Sequence, residues 1–248
     1  DMSVLSRTFA LRGRYEVDLK LGRALAVSRD GKNWQRKDSS DRSLGVVEIT
    51  DGTQVGRGEG LGVDYFGETP ATMTAQVEEV AEQIVAGAGR EALLELLPPG
   101  GARNAVDCAL WDLEAKRAGR RVWELAGVPL KEIVTVFTIG LEDTPDAMAA
   151  KAAAAIRQPR LKVKLNDDRP VERIEAIRKV RPDAVLVIDA NQGWSFELLQ
   201  EVAPRFRALG VQMLEQPLPR GQDQALEEYR SPIPLCGDES CVHGGGLA

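Results

Sequence analysis

Four short segments at nearly even spacing constrain this chain more than any other feature. They are Leu161-Lys162-Val163-Lys164, Val187-Ile188-Asp189-Ala190-Asn191, Met213-Leu214-Glu215-Gln216-Pro217 and Cys236-Gly237-Asp238-Glu239-Ser240. Each contains or follows an apolar run of strand length and ends in charged groups. From Lys164 to Asp189, to Glu215, to Asp238, the intervals are 25, 26 and 23 residues. One strand, one crossover helix and their loops need roughly that many, since a βαβ unit occupies about 30. Two lysines and three acids are therefore expected at the same end of successive parallel strands.

The surrounding sequence has the same rhythm. Strands are predicted over residues 134–139, 161–165, 185–188 and 211–214 and from 235, with helices over 145–157, 170–180, 195–209 and 224–229. Strictly alternating strands and helices imply an α/β fold with a parallel sheet. Five strands are visible where a closed (β/α)₈ barrel needs eight, so a partial barrel is expected within these residues. In a barrel, the C-terminal strand ends carry the chemistry.

Residues 1–100 read differently. The segments 46–50 and 54–59 flank Asp51-Gly52, a strong hairpin signal. Val77, Val80, Ala81 and Ile84 recur at helical spacing within 70–86, and Pro98-Pro99-Gly100-Gly101 then breaks the chain. A second helix is predicted over 102–118, with Ala105, Ala109, Leu110 and Leu113 on one face and Gly119 as its stop. The polar stretch 29–42 reads as a loop. The expected division is an α+β domain over 1–100 and the partial barrel over 101–248.

Composition narrows the function. The net charge of −6 and the absence of a basic stripe argue against nucleic acid as a partner. Cys108, Cys236 and Cys241 form no C-x-x-C pair, which disfavours a disulfide framework or structural zinc. Reduced thiols in a cytoplasmic protein fit better. No run of about 18 apolar residues suggests a membrane span, and the N-terminus lacks a signal-peptide pattern.

The charged strand ends suggest a reaction. Asp189, Glu215 and Asp238 are hard oxygen donors without histidine or cysteine beside them in the pattern. Such a set suits Mg²⁺ first and Mn²⁺ second. Glu239 is an alternative to Asp238, because strand alternation turns only one of the two inward. Lys162 and Lys164 are two residues apart and share a strand face. Their mutual repulsion, burial and a nearby cation would depress a lysine toward about 7–8, where it serves as a base. Asn191 would share the face of Asp189 as a ligand-orienting group, or serve as a turn residue. His243, in a glycine-rich tail, carries no signal. Glycoside hydrolysis would need a flanking acid pair, and the double lysine argues against it.

The K-x-K, D-A-N, E-Q-P and D-E-S segments, with the helix Ala102 to Lys116, resemble the enolase superfamily, specifically its muconate-lactonizing subgroup. Within it the resemblance is to dipeptide epimerases of the L-Ala-D/L-Glu type, over about residues 44–241. It implies an α+β capping domain followed by a modified barrel. It implies Mg²⁺ held by Asp189, Glu215 and Asp238, Lys164 as acid/base at the substrate α-carbon, and Lys162 on the carboxylate. It also implies a second lysine base and an acidic dipeptide-reading motif beyond Ala248, so the barrel is expected to be incomplete in this chain. The implied substrate is a small carboxylate, a dipeptide. Rival readings are an N-acylamino acid racemase, a cycloisomerase, an o-succinylbenzoate synthase, or a non-catalytic metal-binding fragment. The residues 29–42 would act as a lid, and bare strand edges would favour homo-oligomers.

Overall fold

The computed structural model describes residues 5–9, 16–23, 43–62 and 67–242. The stretch 29–42 and His243 with the tail after it lie outside these residues. The chain forms two compact units, residues 1–131 and 132–248. Among the described residues no helix is long and apolar enough to cross a membrane.

The first unit holds an antiparallel sheet of β1 (Leu5–Phe9), β2 (Glu16–Arg23), β3 (Ser43–Thr50) and β4 (Val55–Leu61), in that order. Helices α1 (Pro70–Val85), α2 (Arg90–Leu96), α3 (Gly101–Ala118) and α4 (Val122–Leu125) follow. The predicted hairpin is present, with Thr50 opposite Val55. Its turn is built by Asp51, whose Oδ1 accepts from the Thr53 N–H at 2.9 Å, the Thr53 hydroxyl at 2.7 Å and the Gln54 N–H at 2.8 Å. Those bonds, with Arg117 nearby, hold the Asp51 carboxyl down at about 2.

Alternation along β4 turns Gly56, Gly58 and Gly60 to one buried face. The α3 backbone lies directly on it. A Cβ at Gly58 would stand 2.0 Å from the Ala105 carbonyl oxygen, and one at Gly56 would stand 2.1 Å from that of Ala109. Polar bonds flank this contact: Asp112 Oδ2 accepts from the Arg57 N–H at 2.8 Å, and Lys116 Nζ donates to the Val55 carbonyl at 2.7 Å. Val106, Leu110 and Leu113 of α3 pack into a core with Val47, Ile49, Met73, Val77, Val80 and Ile84. This corrects the division expected at residue 100. The 102–118 helix is bound to the first sheet, so the boundary falls after Lys131.

The second unit is a parallel sheet in the order β5 (Phe137–Ile139), β6 (Arg160–Lys164), β7 (Val185–Asp189), β8 (Val211–Glu215) and β9 (Leu235–Cys236). Crossovers run through α5 (Pro145–Ala154), α6 (Pro170–Val180) and α7 (Phe196–Ala208). Leu161, Val163, Leu186, Ile188 and Leu214 face the helices and bury against Ile174, Ile177, Leu199, Val202 and Phe206. Prediction and structure differ at the edges. The strand expected from residue 134 begins only at Phe137, and Ile133 and Val134 are exposed, with no neighbouring strand among the described residues to pair them. The helix expected over 224–229 is a 3-10 turn at Asp223–Leu226.

Two measurements test this account. Gly58→Ala should cost about 3 kcal/mol in urea unfolding, because backbone must move. Gly140→Ala, where a Cβ would meet nothing within 4 Å, should stay within about 0.5 kcal/mol of wild type. Asp51 has its folded value below the ordinary 3.8, so its stabilisation is present above 3.8 and lost as pH falls toward about 2. The thermal midpoint of wild type should therefore drop more across that window than that of Asp51→Asn.

Candidate active site

The register of the parallel sheet gathers the charged groups. Lys164 pairs with Asp189, Asp189 with Glu215, and Glu215 with Cys236, one row across β6 to β9. Residues in one row project to the same face. The opposite face is the apolar one under the helices, so the polar groups have only this side to occupy. Lys162 and Lys164 share it, as their spacing predicts, while Leu161 and Val163 are fully buried on the other.

Asp189 is the hub. Its side chain is 0% exposed, and Oδ2 receives both ammonium groups, Lys164 Nζ at 2.5 Å and Lys162 Nζ at 2.9 Å. Its Oδ1 accepts the Asn191 backbone N–H at 2.9 Å. Burial alone would push the carboxyl up, but these donors hold it below the usual range. Lys162 Nζ also donates to Glu215 Oε1 at 2.7 Å. The depressed pKa expected from lysine–lysine repulsion is not what Lys162 acquires. Burial pushes its ammonium down, but Glu215 and Asp189 hold it above its ordinary value. Two bonded carboxylates outweigh one neighbouring ammonium.

Glu215 shows the opposite balance. Burial raises its carboxyl, Lys162 lowers it, and the charges of Asp189 and Asp238 raise it again. Glu215 thus feels an acid on either side of it, a repulsion that a hard divalent cation would relieve. Among the described residues no three such side chains stand gathered as a metal-holding group. The lysines meet Asp189 and Glu215 themselves, and Asp238 is exposed. The chemistry of the residues suits the cation; the lysines supply the positive charge in this arrangement.

Several residues that sequence reasoning passed over hold the site in shape. Gln216, 1% exposed, accepts at Oε1 from the Asp238 N–H at 3.0 Å and the Ser240 N–H at 3.1 Å. Its Nε2 donates to the Leu218 carbonyl and the Ser240 hydroxyl, each at 2.9 Å. One buried amide thus clamps the loop carrying Asp238. The available signal was a polar residue between a strand-end acid and Pro217. Cys236 was read only as a reduced thiol, yet it stands in the row beside Glu215. Burial first, then Glu215 and Asp238, push its thiol up.

Asn191 is the turn residue that was one of the two expectations for it. Its φ of 44° makes it a left-handed turn residue, a conformation asparagine tolerates better than most. Its side chain nevertheless enters the site, with Oδ1 accepting from Lys164 Nζ at 2.7 Å. Of the adjacent acids after β9, Asp238 is exposed and Glu239 is buried.

The chain is similar to known proteins. Residues 35–127 match the Mandelate racemase / muconate lactonizing enzyme, N-terminal domain, and residues 147–245 match the Enolase C-terminal domain-like family. A solved structure of an L-Ala-D/L-Glu epimerase has a TM-score of 0.81 at 37% identity, covering 95% of this chain and 72% of that one. An enolase family member from Agrobacterium tumefaciens with homology to dipeptide epimerases, solved with sodium and L-Ala-L-Glu, has a TM-score of 0.75 at 33% identity. It covers 100% of this chain and 71% of that one. The chain belongs to the enolase superfamily, with N- and C-terminal domains of the mandelate racemase and muconate lactonizing enzyme type. An L-Ala-D/L-Glu epimerase of Escherichia coli (strain K12) is 42% identical over 208 residues, 83% of this chain. The chain spans 65% of that relative's length, just under two thirds.

The hub role of Asp189 is testable without activity. Asp189→Asn removes the charge that two ammonium groups share. It should lower stability by about 1–3 kcal/mol in urea unfolding with chelator present, a range reduced for the partial exposure of the lysines.

Proposed function

We propose that this chain carries the proton-transfer machinery of an isomerase that epimerises the carbon next to a carboxylate, with a dipeptide of the L-Ala-L-Glu kind as substrate. The observation that carries this reading is the pair Lys162 and Lys164 on one sheet face, bonded to strand-end carboxylates. The similarity to dipeptide epimerases supports the substrate class.

A proton next to a carboxylate is very weakly acidic, because its removal adds a second negative charge to the same group. Asp189, Glu215 and Asp238 would hold Mg²⁺, which supplies a fixed positive charge beside that carboxylate. Lys162, bonded to two of those acids, keeps its ammonium charged at the same place and offers a second positive partner. Lys164 moves the proton at Nζ. As an ammonium it has a proton to deliver to the α-carbon; as an amine it takes one. Its side chain is 34% exposed, against 20% for Lys162, so of the two it is the more open to a ligand. Its partners Asp189 and Asn191 set the direction of Nζ, and orientation of this kind is a large part of proton-transfer efficiency. Inversion needs a second acid/base on the other face of the substrate.

The test is ¹H NMR in D₂O with Mg²⁺ and L-Ala-L-Glu. The glutamyl α-proton signal should disappear with wild type, and Lys164→Ala should slow that loss about 10³-fold or more. Unchanged exchange in Lys164→Ala would refute the assignment. Lys162→Met should slow exchange about 10²-fold. Exchange without the L,D isomer would mean that Lys164 works alone from one face. Exchange only with N-acyl amino acids would keep the chemistry and move the substrate class.

A further inference from the structure

Glu239 has a role that the reaction as described leaves unused. It is 4% exposed, and its Oε2 is the only buried side-chain polar atom among the described residues without a hydrogen-bond partner. A half-satisfied buried carboxylate costs stability, so such groups usually answer to something other than packing. Its other oxygen, Oε1, accepts from Asn191 Nδ2 at 3.2 Å. The opposite end of the same amide, Asn191 Oδ1, accepts from Lys164 Nζ at 2.7 Å. A chain of three side chains therefore runs from Glu239 through Asn191 to Lys164.

The ends of a carboxamide differ little in shape and wholly in polarity. An ammonium group only donates, so it requires the oxygen end; a carboxylate only accepts, so it requires the NH₂ end. With Lys164 on one side and Glu239 on the other, a flipped amide would be wrong at both contacts. Without Glu239, one of those two constraints is gone and the amide is free to turn. The Asn191 backbone is fixed separately, by its N–H to Asp189 Oδ1 at 2.9 Å. Lys164 would then keep Asp189 as its one fixed acceptor, which it shares with Lys162.

We propose that Glu239 is a positioning residue: it locks the Asn191 amide with its oxygen toward Lys164 and so fixes the direction of Nζ, without touching substrate. The role rests on Lys164 being the proton-transfer group, but its structural half can be measured apart from any reaction.

The experiment is ¹⁵N-resolved NMR of the lysine side-chain ammonium groups in the full chain, with Lys164→Arg used to assign the Lys164 signal. Three variants are compared with wild type. Glu239→Leu removes the acceptor; Glu239→Gln keeps an oxygen that can accept from Asn191. Asn191→Gly removes the amide while suiting the positive φ of that position. Glu239→Leu and Asn191→Gly should both speed exchange of the Lys164 Nζ protons with water about tenfold, with Glu239→Gln near wild type. If Glu239→Leu fails to fold, Glu239→Ala takes its place with the same expectation. A Lys164 signal unchanged in Asn191→Gly overturns the proposal, as does one unchanged in a folded Glu239→Leu or one loosened in Glu239→Gln. In α-proton exchange with Mg²⁺ and L-Ala-L-Glu, Glu239→Leu should lower kcat about tenfold and leave KM within about twofold. Absence of exchange in wild type would count against the proposed reaction; the ammonium signals would still read the positioning role.

Discussion

The carboxylate of Asp189 is where the chemistry of the second unit converges. It is fully buried at the end of a central strand, and an isolated ionised carboxylate there would be costly. Two ammonium groups and a backbone N–H bring it below the usual carboxylate range. The dependence also runs the other way. Lys162 and Lys164, two residues apart on one strand, repel each other, and the shared carboxylate offsets that repulsion. The sheet register places that charge one strand over, directly opposite Lys164. Removing the register, the carboxylate or one lysine unbalances the rest.

The shape around this hub is set by uncharged groups. Gln216 ties the loop after β9 to the end of β8, so Asp238 is positioned by a buried amide rather than by an ion pair. Asn191 turns the chain after β7 and delivers its side chain to Lys164. Both residues take positive φ within two residues of a strand end. Strand ends of a parallel sheet are where backbone can depart from extended geometry without breaking the ladder, and in this chain those departures surround the charged row. In the first unit, a glycine face on β4 lets the α3 backbone approach closely, which ties that helix to the antiparallel sheet.

Much of this was legible in the sequence. The period of the βα units placed Lys164, Asp189 and Glu215 in one row, because strand length and crossover length vary little within a parallel sheet. The K-x-K spacing gave the shared face of Lys162 and Lys164 from alternation alone. What sequence reasoning missed depends on three-dimensional accounting. The direction of the Lys162 shift required knowing that two carboxylates reach its ammonium. Gln216 became informative, and Glu239 more than an alternative to Asp238, only once burial and hydrogen-bond partners were known. The assignment of α3 to the second unit failed because Pro98-Pro99-Gly100-Gly101 breaks the chain locally without ending the domain. The decisive signal was the glycine alternation in β4, which marks a close neighbour and does not name it.

The most direct test of the account is a crystal structure of the protein with Mg²⁺ and L-Ala-L-Glu. The account predicts the cation among Asp189, Glu215 and Asp238. It predicts the dipeptide carboxylate beside Lys162, and Lys164 Nζ about 3–3.5 Å from the glutamyl α-carbon, the separation at which a proton can move. A dipeptide bound elsewhere, or bound there with Lys164 turned away from its α-carbon, would contradict it.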